Sequence, residues 1–238
     1  MLFFLLGIAL GLGGFTYWIG LWDRVEFKYQ EFLLSDKKEL FVLVAKCTEK
    51  GIGRHAMRLL DGSKKAIDAA HVNSIKMQSE AAASYGAPQG ADSLSLGIYY
   101  DNPNAVPHPR WAIGWAVAAK DFEETKAMAK KANEIKTIDD EIVAVRLGGV
   151  DQHIITGRVP WRHMFTPMIA PMFFWGKAFD VYDKGGYKST GNTDKEGAVA
   201  LEVYGMGSDQ KGEWIDYVVL HGDVEHVWGD AYPVEAKK

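Results

Sequence analysis

The chain has very little cysteine: Cys47 is the only one among its 238 residues. A single thiol cannot form an internal disulfide, which excludes a small secreted scaffold held by disulfide bridges and fits a reducing compartment. Basic residues are not in excess either, since 27 Lys and Arg face 31 Asp and Glu, for a formal net charge of −4. Without a basic surface, nucleic acid is not an expected partner.

Sequence signatures of metal and cofactor sites are also missing. The histidines are scattered and no H-E-x-x-H motif occurs, so no metal site is predicted. Gly51, Gly53 and Ala56 fit the start of the dinucleotide-binding fingerprint. Residues 69–83, where its second strand should follow, are helical in pattern instead. No G-x-S-x-G elbow is present, and we expect neither a cofactor nor a metal ion.

Charge is absent from the first 22 residues. About 20 apolar residues can cross a bilayer as a helix, and Tyr17, Trp18 and Trp22 resemble the aromatic residues found at membrane interfaces. The alternative is a cleavable signal peptide, which needs basic residues before the apolar run and small residues at a cleavage site after it. The sequence has aromatic residues there instead. We therefore expect residues 1–22 to be a transmembrane anchor in contact with membrane lipid.

Basic residues follow the expected anchor and do not precede it, as Arg24 and Lys28 show. Positive charge favours the cytosolic side of a membrane, so the remainder of this single-pass protein is expected to be cytosolic. Residues 23–39 would be a juxtamembrane segment, residues 40–226 a folded domain, and residues 227–238 a C-terminal extension.

Two similar stretches make up that domain. Residues 40–120 are predicted to form strand, helix, strand, strand, and residues 141–226 repeat this order. Residues 121–136 between them are amphipathic, which predicts a linker helix. The Leu-Gly-Ile-Tyr run at Leu96 corresponds to Leu-Glu-Val-Tyr at Leu201. These features predict a duplicated β-α-β-β unit. The predicted strands are 40–46, 94–100, 111–118, 141–147, 152–157, 198–204 and 214–221.

Aromatic residues recur on these strands beside acidic ones. Alternation places Trp111 and Trp115 on one strand face, and three tyrosines come from neighbouring strands. Core packing explains most such residues, but a cleft lined by aromatics with one or two acids is also the usual form of a small-ligand site. The predicted ligand-binding residues are Tyr99, Trp111, Trp115, Glu202, Tyr204 and Tyr217.

Glu202 and Asp216 lie on adjacent predicted strands. If either faced an apolar cleft, burial would raise its pKa, and it could act as an acid or base or attract a cation. The alternative is that both side chains point into solvent. Glu202 and Asp216 are therefore the candidate catalytic residues if the protein is an enzyme.

The stretch from Leu96 to Pro107, Leu-Gly-Ile-Tyr-Tyr-Asp-Asn-Pro-Asn-Ala-Val-Pro, closely resembles a segment of the testis-expressed protein 264 family. The resemblance extends to the uncharged N-terminus, to residues 42–60 and to the run at Leu201, and so covers most of the chain. Members of that family are single-pass ER membrane proteins that act as receptors for selective autophagy of the ER. They carry a GyrI-like domain, some relatives of which bind small, often cationic ligands or hydrolyse small molecules.

This resemblance implies an α+β fold with an N-terminal transmembrane helix followed by a GyrI-like domain made of two β-α-β-β repeats. It also implies localisation in the ER membrane and a role in reticulophagy. The cytosolic domain would bind a small-molecule or cationic ligand, or an autophagy-related protein partner. The alternative function is that of a membrane-tethered small-molecule hydrolase.

Two departures from the family bear on these implications. The acidic, Ser-rich tail that holds the motif for autophagosome ubiquitin-like proteins is not found in these 238 residues. The last strand has Ile215 where ligand binders and hydrolases usually carry a Glu two residues before an aromatic, here Tyr217, and Asp216 points to the opposite face by alternation. Binding is therefore the leading expectation and catalysis the alternative. The sequence identifies neither the ligand nor the oligomeric state.

Overall fold

The computed structural model describes part of the chain, within which three α-helices and eight strands are continuous. In chain order these are α1 (Leu2–Trp18), β1 (Glu26–Gln30), β2 (Glu39–Cys47), α2 (Ile52–Ala69), β3 (Ser93–Tyr99), β4 (Trp111–Val117), a 3₁₀ turn (Ala119–Asp121), α3 (Phe122–Glu134), β5 (Ile142–Gly148), β6 (His153–Pro160), β7 (Ala200–Met206) and β8 (Trp214–His221). The described residues are 2–18, 26–30, 39–49, 52–69, 80–82, 85, 93–101, 107–134, 141–148, 153–161, 166, 170–171, 174, 177–178, 200–206 and 214–221.

The eight strands form one sheet in the order β1-β6-β8-β7-β3-β4-β2-β5. Every pair of neighbouring strands is antiparallel. β3 and β7 lie side by side at the centre, and three further strands follow on each side. Strands that are far apart in sequence therefore meet at one seam, which we call the β3–β7 seam.

The predicted fold class is wrong. The described residues form a single antiparallel sheet with few helices, rather than a transmembrane helix followed by a GyrI-like domain of two β-α-β-β repeats. A repeated pattern in sequence records local strands and helices, but it does not reveal which strands of one stretch pair with those of the other. The domain boundaries stay predictions, and the extension at 227–238 lies outside the described residues.

The helix α1 also requires a correction. It has 17 residues and no charged side chain, and at about 1.5 Å per residue its length is roughly 26 Å. Among the described residues, no helix is sufficiently long and apolar to cross a membrane. The predicted transmembrane anchor over residues 1–22, the single-pass topology and the ER membrane localisation are therefore wrong. The exposed large side chains of α1 are Ile8, Leu10, Leu12, Phe15 and Tyr17.

Most predicted elements are confirmed in position. The seven predicted strands overlap β2 to β8, and the predicted linker helix corresponds to α3. β2 shows why these segments become strands: it is rich in β-branched and aliphatic residues, which suit a strand with both faces covered. β1 was not predicted, and it pairs with β6 at one edge of the sheet.

Both faces of the sheet are covered. The face that carries Leu43 and Trp111, which we call the site face, packs under α2 and α3 on the β2–β4 side. On the β6–β8 side of the same face, the helical residues Ala170, Phe174 and Ala178 pack on the strands. On the opposite face, here the back face, a second apolar core packs against Ala81, Ala82 and Tyr85.

Candidate functional site

The candidate site lies on the site face at the β3–β7 seam. The register places Gly97 of β3 on one side of Glu202 and Tyr217 of β8 on the other. Because side chains alternate along a strand, Tyr204 lies on the same face as Glu202, two residues along β7. Tyr99 reaches the same point from β3. The structure thus brings together four of the six predicted ligand-binding residues.

Glu202 is the only carboxylate that the described residues bring to this seam, and it is 6% exposed. The hydroxyl of Tyr99 donates a hydrogen bond to Oε2 of Glu202 at 2.7 Å, and the hydroxyl of Tyr204 donates to the same oxygen at 2.5 Å. Burial raises the pKa of Glu202 above its ordinary value, and the hydrogen bonds from the two tyrosines partly offset the rise. Within the described part of the chain, no cationic side chain balances its charge.

The three tyrosines around Glu202 keep their protons near neutral pH. Burial raises the pKa of Tyr99 and Tyr204 well above the ordinary value, and the neighbouring Glu202 raises both further. The same two causes raise the pKa of Tyr217. Tyr99 and Tyr204 therefore act on Glu202 as neutral hydrogen-bond donors.

Gly97 gives Tyr99 the room to reach Glu202. A Cβ atom at Gly97 would lie 3.0 Å from the hydroxyl oxygen of Tyr99 and 3.3 Å from its Cζ. The tyrosine ring therefore lies across the backbone of Gly97, which is the residue that pairs with Glu202. A larger residue at position 97 would push the hydroxyl away from the carboxylate.

Two aromatic residues that the sequence analysis missed extend the site. Trp161 packs edge-on against Tyr204, with ring centroids 5.9 Å apart. Phe174 stacks on Tyr217 at 4.8 Å. Their only signal in the sequence is the concentration of aromatic residues after β6. The tyrosine cluster is thus continuous with the apolar core on the β6–β8 side of the site face, in which Phe174 and Tyr217 are fully buried.

The two predicted tryptophans lie on the same face but further from the carboxylate. Trp111 is the cross-strand neighbour of Tyr99, is 1% exposed, and donates its indole hydrogen bond to the carbonyl of Glu49 at 2.9 Å. Trp115 pairs with Ser95 and is half-buried. Trp111 therefore lies beside Tyr99 on the neighbouring strand β4. Neither tryptophan is adjacent to Glu202 in the register.

Comparisons with known proteins give only distant structural similarities. No protein-family model and no curated protein matches the chain. A hydrolase from Listeria innocua is similar over 82% of this chain and 90% of its own, at 10% identity and a TM-score of 0.41. An uncharacterised conserved protein from the same organism is similar over 82% of this chain and 91% of its own, at 11% identity and a TM-score of 0.46.

The second candidate catalytic residue lies elsewhere. Asp216 is on the back face, where Arg158 donates from Nε to Oδ1 and from Nη2 to Oδ2, each at 2.6 Å. The hydroxyl of Tyr85 also donates to Oδ2 at 3.2 Å. The Arg158 guanidinium lies 4.1 Å above the ring of Trp214, and Tyr85 stacks on that ring. Glu202 and Asp216 are therefore separated by the sheet, and the charge of Asp216 is already paired.

Metal ligands are not grouped in the described part of the chain, where no set of three or more His, Cys, Asp or Glu side chains could hold an ion. Glu202 offers one carboxylate, and the phenols beside it keep their protons. The chemistry of the site is therefore that of a buried carboxyl group with phenol donors and neighbouring aromatic rings.

Proposed function

We propose that this protein binds a small organic cation at Glu202. The observation that carries the proposal is the buried carboxylate, which two phenols hydrogen-bond and which no cation balances among the described residues. Burying a carboxylate is costly unless hydrogen bonds and an opposite charge compensate. The tyrosines supply the hydrogen bonds, and a bound cation supplies the missing charge.

The surroundings of Glu202 suit the rest of such a ligand. Tyr204 borders the carboxylate and packs edge-on against Trp161, and both of these rings are half-buried. Tyr217 lies on the other side and stacks on Phe174, and these two rings are fully buried. Aromatic faces attract cations electrostatically, and they also bury the apolar body of a ligand. A cation carried on an aromatic or aliphatic group matches both properties.

The binding test uses 2-naphthylmethylammonium and the neutral, similarly shaped 2-naphthylmethanol, measured by isothermal titration calorimetry near neutral pH. The wild type is expected to bind the ammonium more tightly than the alcohol. E202Q keeps the size of the side chain but removes its charge, and it should weaken ammonium binding by about tenfold to a hundredfold, the equivalent of one charged hydrogen bond.

The matched control is E141Q, which removes the same charge from an exposed carboxylate that pairs with Lys46. It should leave both dissociation constants unchanged. Equal affinity of the wild type for the ammonium and the alcohol, or an unchanged ammonium affinity in E202Q, would contradict the proposal.

Hydrolysis of a small ester with Glu202 as general base is the second candidate. The raised pKa of Glu202, caused by burial, favours it, because a carboxylate with a raised pKa is a stronger base. Asp216 is not part of this candidate, since it pairs with Arg158 on the back face. Saturable release of p-nitrophenol from p-nitrophenyl acetate, lost in E202Q and retained in E141Q, would support hydrolysis. Equal release by the wild type and E202Q would exclude this role for Glu202.

The receptor role in reticulophagy and the autophagy-related partner also stay proposals, supported by the resemblance of the Leu96–Pro107 segment alone. Co-precipitation of the full chain with purified autophagosome ubiquitin-like proteins tests them. Binding would support the role, and no binding at micromolar concentrations would count against it.

A further inference from the structure

We propose that the Glu202 site prefers a cation that donates one N–H group to one carboxylate oxygen, such as a protonated amine, over one that pairs with both carboxylate oxygens through two parallel N–H groups, such as a guanidinium. This inference rests on the proposed function and narrows the class of cation. Its basis is an asymmetry of the carboxylate. The hydroxyls of Tyr99 and Tyr204 both donate to Oε2, whereas no described residue donates a hydrogen bond to Oε1.

The two oxygens of Glu202 therefore differ in what they can still accept. A carboxylate oxygen has two lone pairs, and the two tyrosines occupy both of those on Oε2. One acceptor, Oε1, is left for a ligand. A primary ammonium has three N–H groups in a tetrahedral arrangement, so one of them can donate the charged hydrogen bond to Oε1 while the other two point away from the occupied Oε2.

A guanidinium has different requirements. It pairs with carboxylates through two parallel N–H groups, one to each oxygen. At Glu202 one of these N–H groups would meet the occupied Oε2. The ligand would then bury an unpaired donor or displace a tyrosine hydroxyl, and either outcome weakens binding.

The tyrosine hydroxyls are held in place by their surroundings. The Tyr99 ring lies against Gly97 and beside the buried Trp111, whose indole nitrogen is anchored to the carbonyl of Glu49. Tyr204 packs edge-on against Trp161. Displacing either hydroxyl from Oε2 would leave a buried phenol without its acceptor, so the site resists rearrangement around a guanidinium.

The test compares three cations that share one aromatic body: 2-naphthylmethylammonium, 2-naphthylmethylguanidinium and 2-naphthylmethyl-trimethylammonium. All three carry one positive charge near neutral pH, and they differ in the N–H groups that they present. Isothermal titration calorimetry with the wild type should give the ammonium about tenfold higher affinity than the guanidinium, as expected for one unpaired buried donor. The trimethylammonium, which has no N–H, should also bind more weakly than the ammonium.

Two variants test the cause of this preference. Y99F and Y204F each release one lone pair of Oε2, so each should lower the ratio of ammonium to guanidinium affinity towards one, through a gain in guanidinium affinity. The matched control is Y100F, which removes a phenol from the next position of the chain on the back face. It should keep the wild-type ratio. Circular dichroism establishes that each variant is folded.

The outcomes separate this inference from the proposed function. Equal wild-type affinity for the ammonium and the guanidinium would overturn the inference while leaving cation binding at Glu202 intact. An unchanged ratio in both Y99F and Y204F would also overturn it. No binding of any of the three cations would instead refute the proposed function. The ratio of ammonium to guanidinium affinity is measured with the wild type alone. It therefore tests the inference even if a substitution prevents folding.

Discussion

At the scale of single residues, the two buried carboxylates Glu202 and Asp216 differ in how the protein compensates for the cost of burying their charge. Asp216 is neutralised by the guanidinium of Arg158, so its charge is satisfied within the protein. Glu202 has only phenol donors, and burial raises its pKa. The free-energy cost of a buried charge falls when an opposite charge is adjacent. An external cation would therefore lower the cost of burying the charge of Glu202, whereas Asp216 already has Arg158 beside it.

The raised pKa of Glu202 has a consequence for stability. The folded protein holds this proton to a higher pH than the unfolded chain does, so the folded state is penalised above its folded pKa and the penalty disappears as the pH falls towards the unfolded value of about 4.3. E202Q removes the penalised charge. It should therefore be more stable than the wild type at about pH 8 and lose that advantage near pH 4.5, as measured by urea unfolding.

Tryptophan fluorescence follows this unfolding, and E141Q is again the control because Glu141 is an exposed carboxylate. Its stability relative to the wild type should change little between the two pH values. An E202Q protein that is less stable than the wild type at the higher pH would refute the expected penalty.

At the scale of secondary-structure elements, an ion pair between Asp101 and Arg110, which we call the Asp101–Arg110 clasp, fixes the end of β3. Asp101 accepts hydrogen bonds from the backbone N–H of Arg110 at 2.7 Å, from its Nε at 2.9 Å and from its Nη2 at 2.8 Å. The backbone of Tyr100 also donates to the carbonyl of Arg110 at 3.0 Å. These contacts join the end of β3 to the start of β4, directly after the strand that carries Tyr99.

We expect D101N to destabilise the protein by about 2 kcal/mol near neutral pH, because it weakens hydrogen bonds to a charged group. Burial by itself would raise the pKa of Asp101, but the hydrogen bonds from Arg110 prevail and lower it. The stabilisation is therefore complete above the unfolded pKa of about 3.9 and is lost as the pH falls through the folded pKa. Urea unfolding below about pH 4 should show a loss of stability in the wild type that D101N lacks.

The control for this prediction is D61N. Asp61 pairs with Lys65 on the surface of α2, where both side chains are exposed. Removing that pair should cost less than about 0.5 kcal/mol. Equal losses of stability in D101N and D61N would show that the clasp contributes no more than a surface ion pair.

The elements also differ in how far they could be predicted. β2 and α3 have strong patterns, an apolar run and an amphipathic repeat, and both occur where they were predicted. β1, Glu-Phe-Lys-Tyr-Gln, is short and two of its five residues are charged, which is common for edge strands. Its strand structure depends on pairing with β6, and that partner lies more than a hundred residues away in sequence.

At the scale of the whole molecule, long-range pairing assembles the sheet and the site together. The Tyr99–Glu202 hydrogen bond joins residues 103 positions apart, and it forms only because β3 pairs with β7. Each of these central strands has a hydrogen-bonded partner on both sides, whereas β1 and β5 are edge strands with one described partner each. The candidate site therefore lies at the centre of the sheet.

Hydrogen exchange should reflect this arrangement. Backbone amides of β3 and β7 are expected to exchange at least roughly tenfold more slowly than those of β1 and β5, because opening the central strands requires disrupting the sheet. Hydrogen–deuterium exchange with mass spectrometry, corrected for intrinsic rates in the unfolded chain, measures the difference. Edge strands as protected as the central pair would contradict this account of the sheet.

The sequence by itself determined the local features: the positions of most strands, the helix after β4, and the alternation that sends Asp216 to the face opposite Tyr217. These depend on neighbouring residues, whose spacing is visible in the chain. Only the tertiary structure decided the strand order, the separation of Glu202 from Asp216, and the convergence of Tyr99 and Tyr204 on one oxygen. Those features depend on which distant strands pair, and that choice is made by packing across the whole sheet rather than by any local pattern.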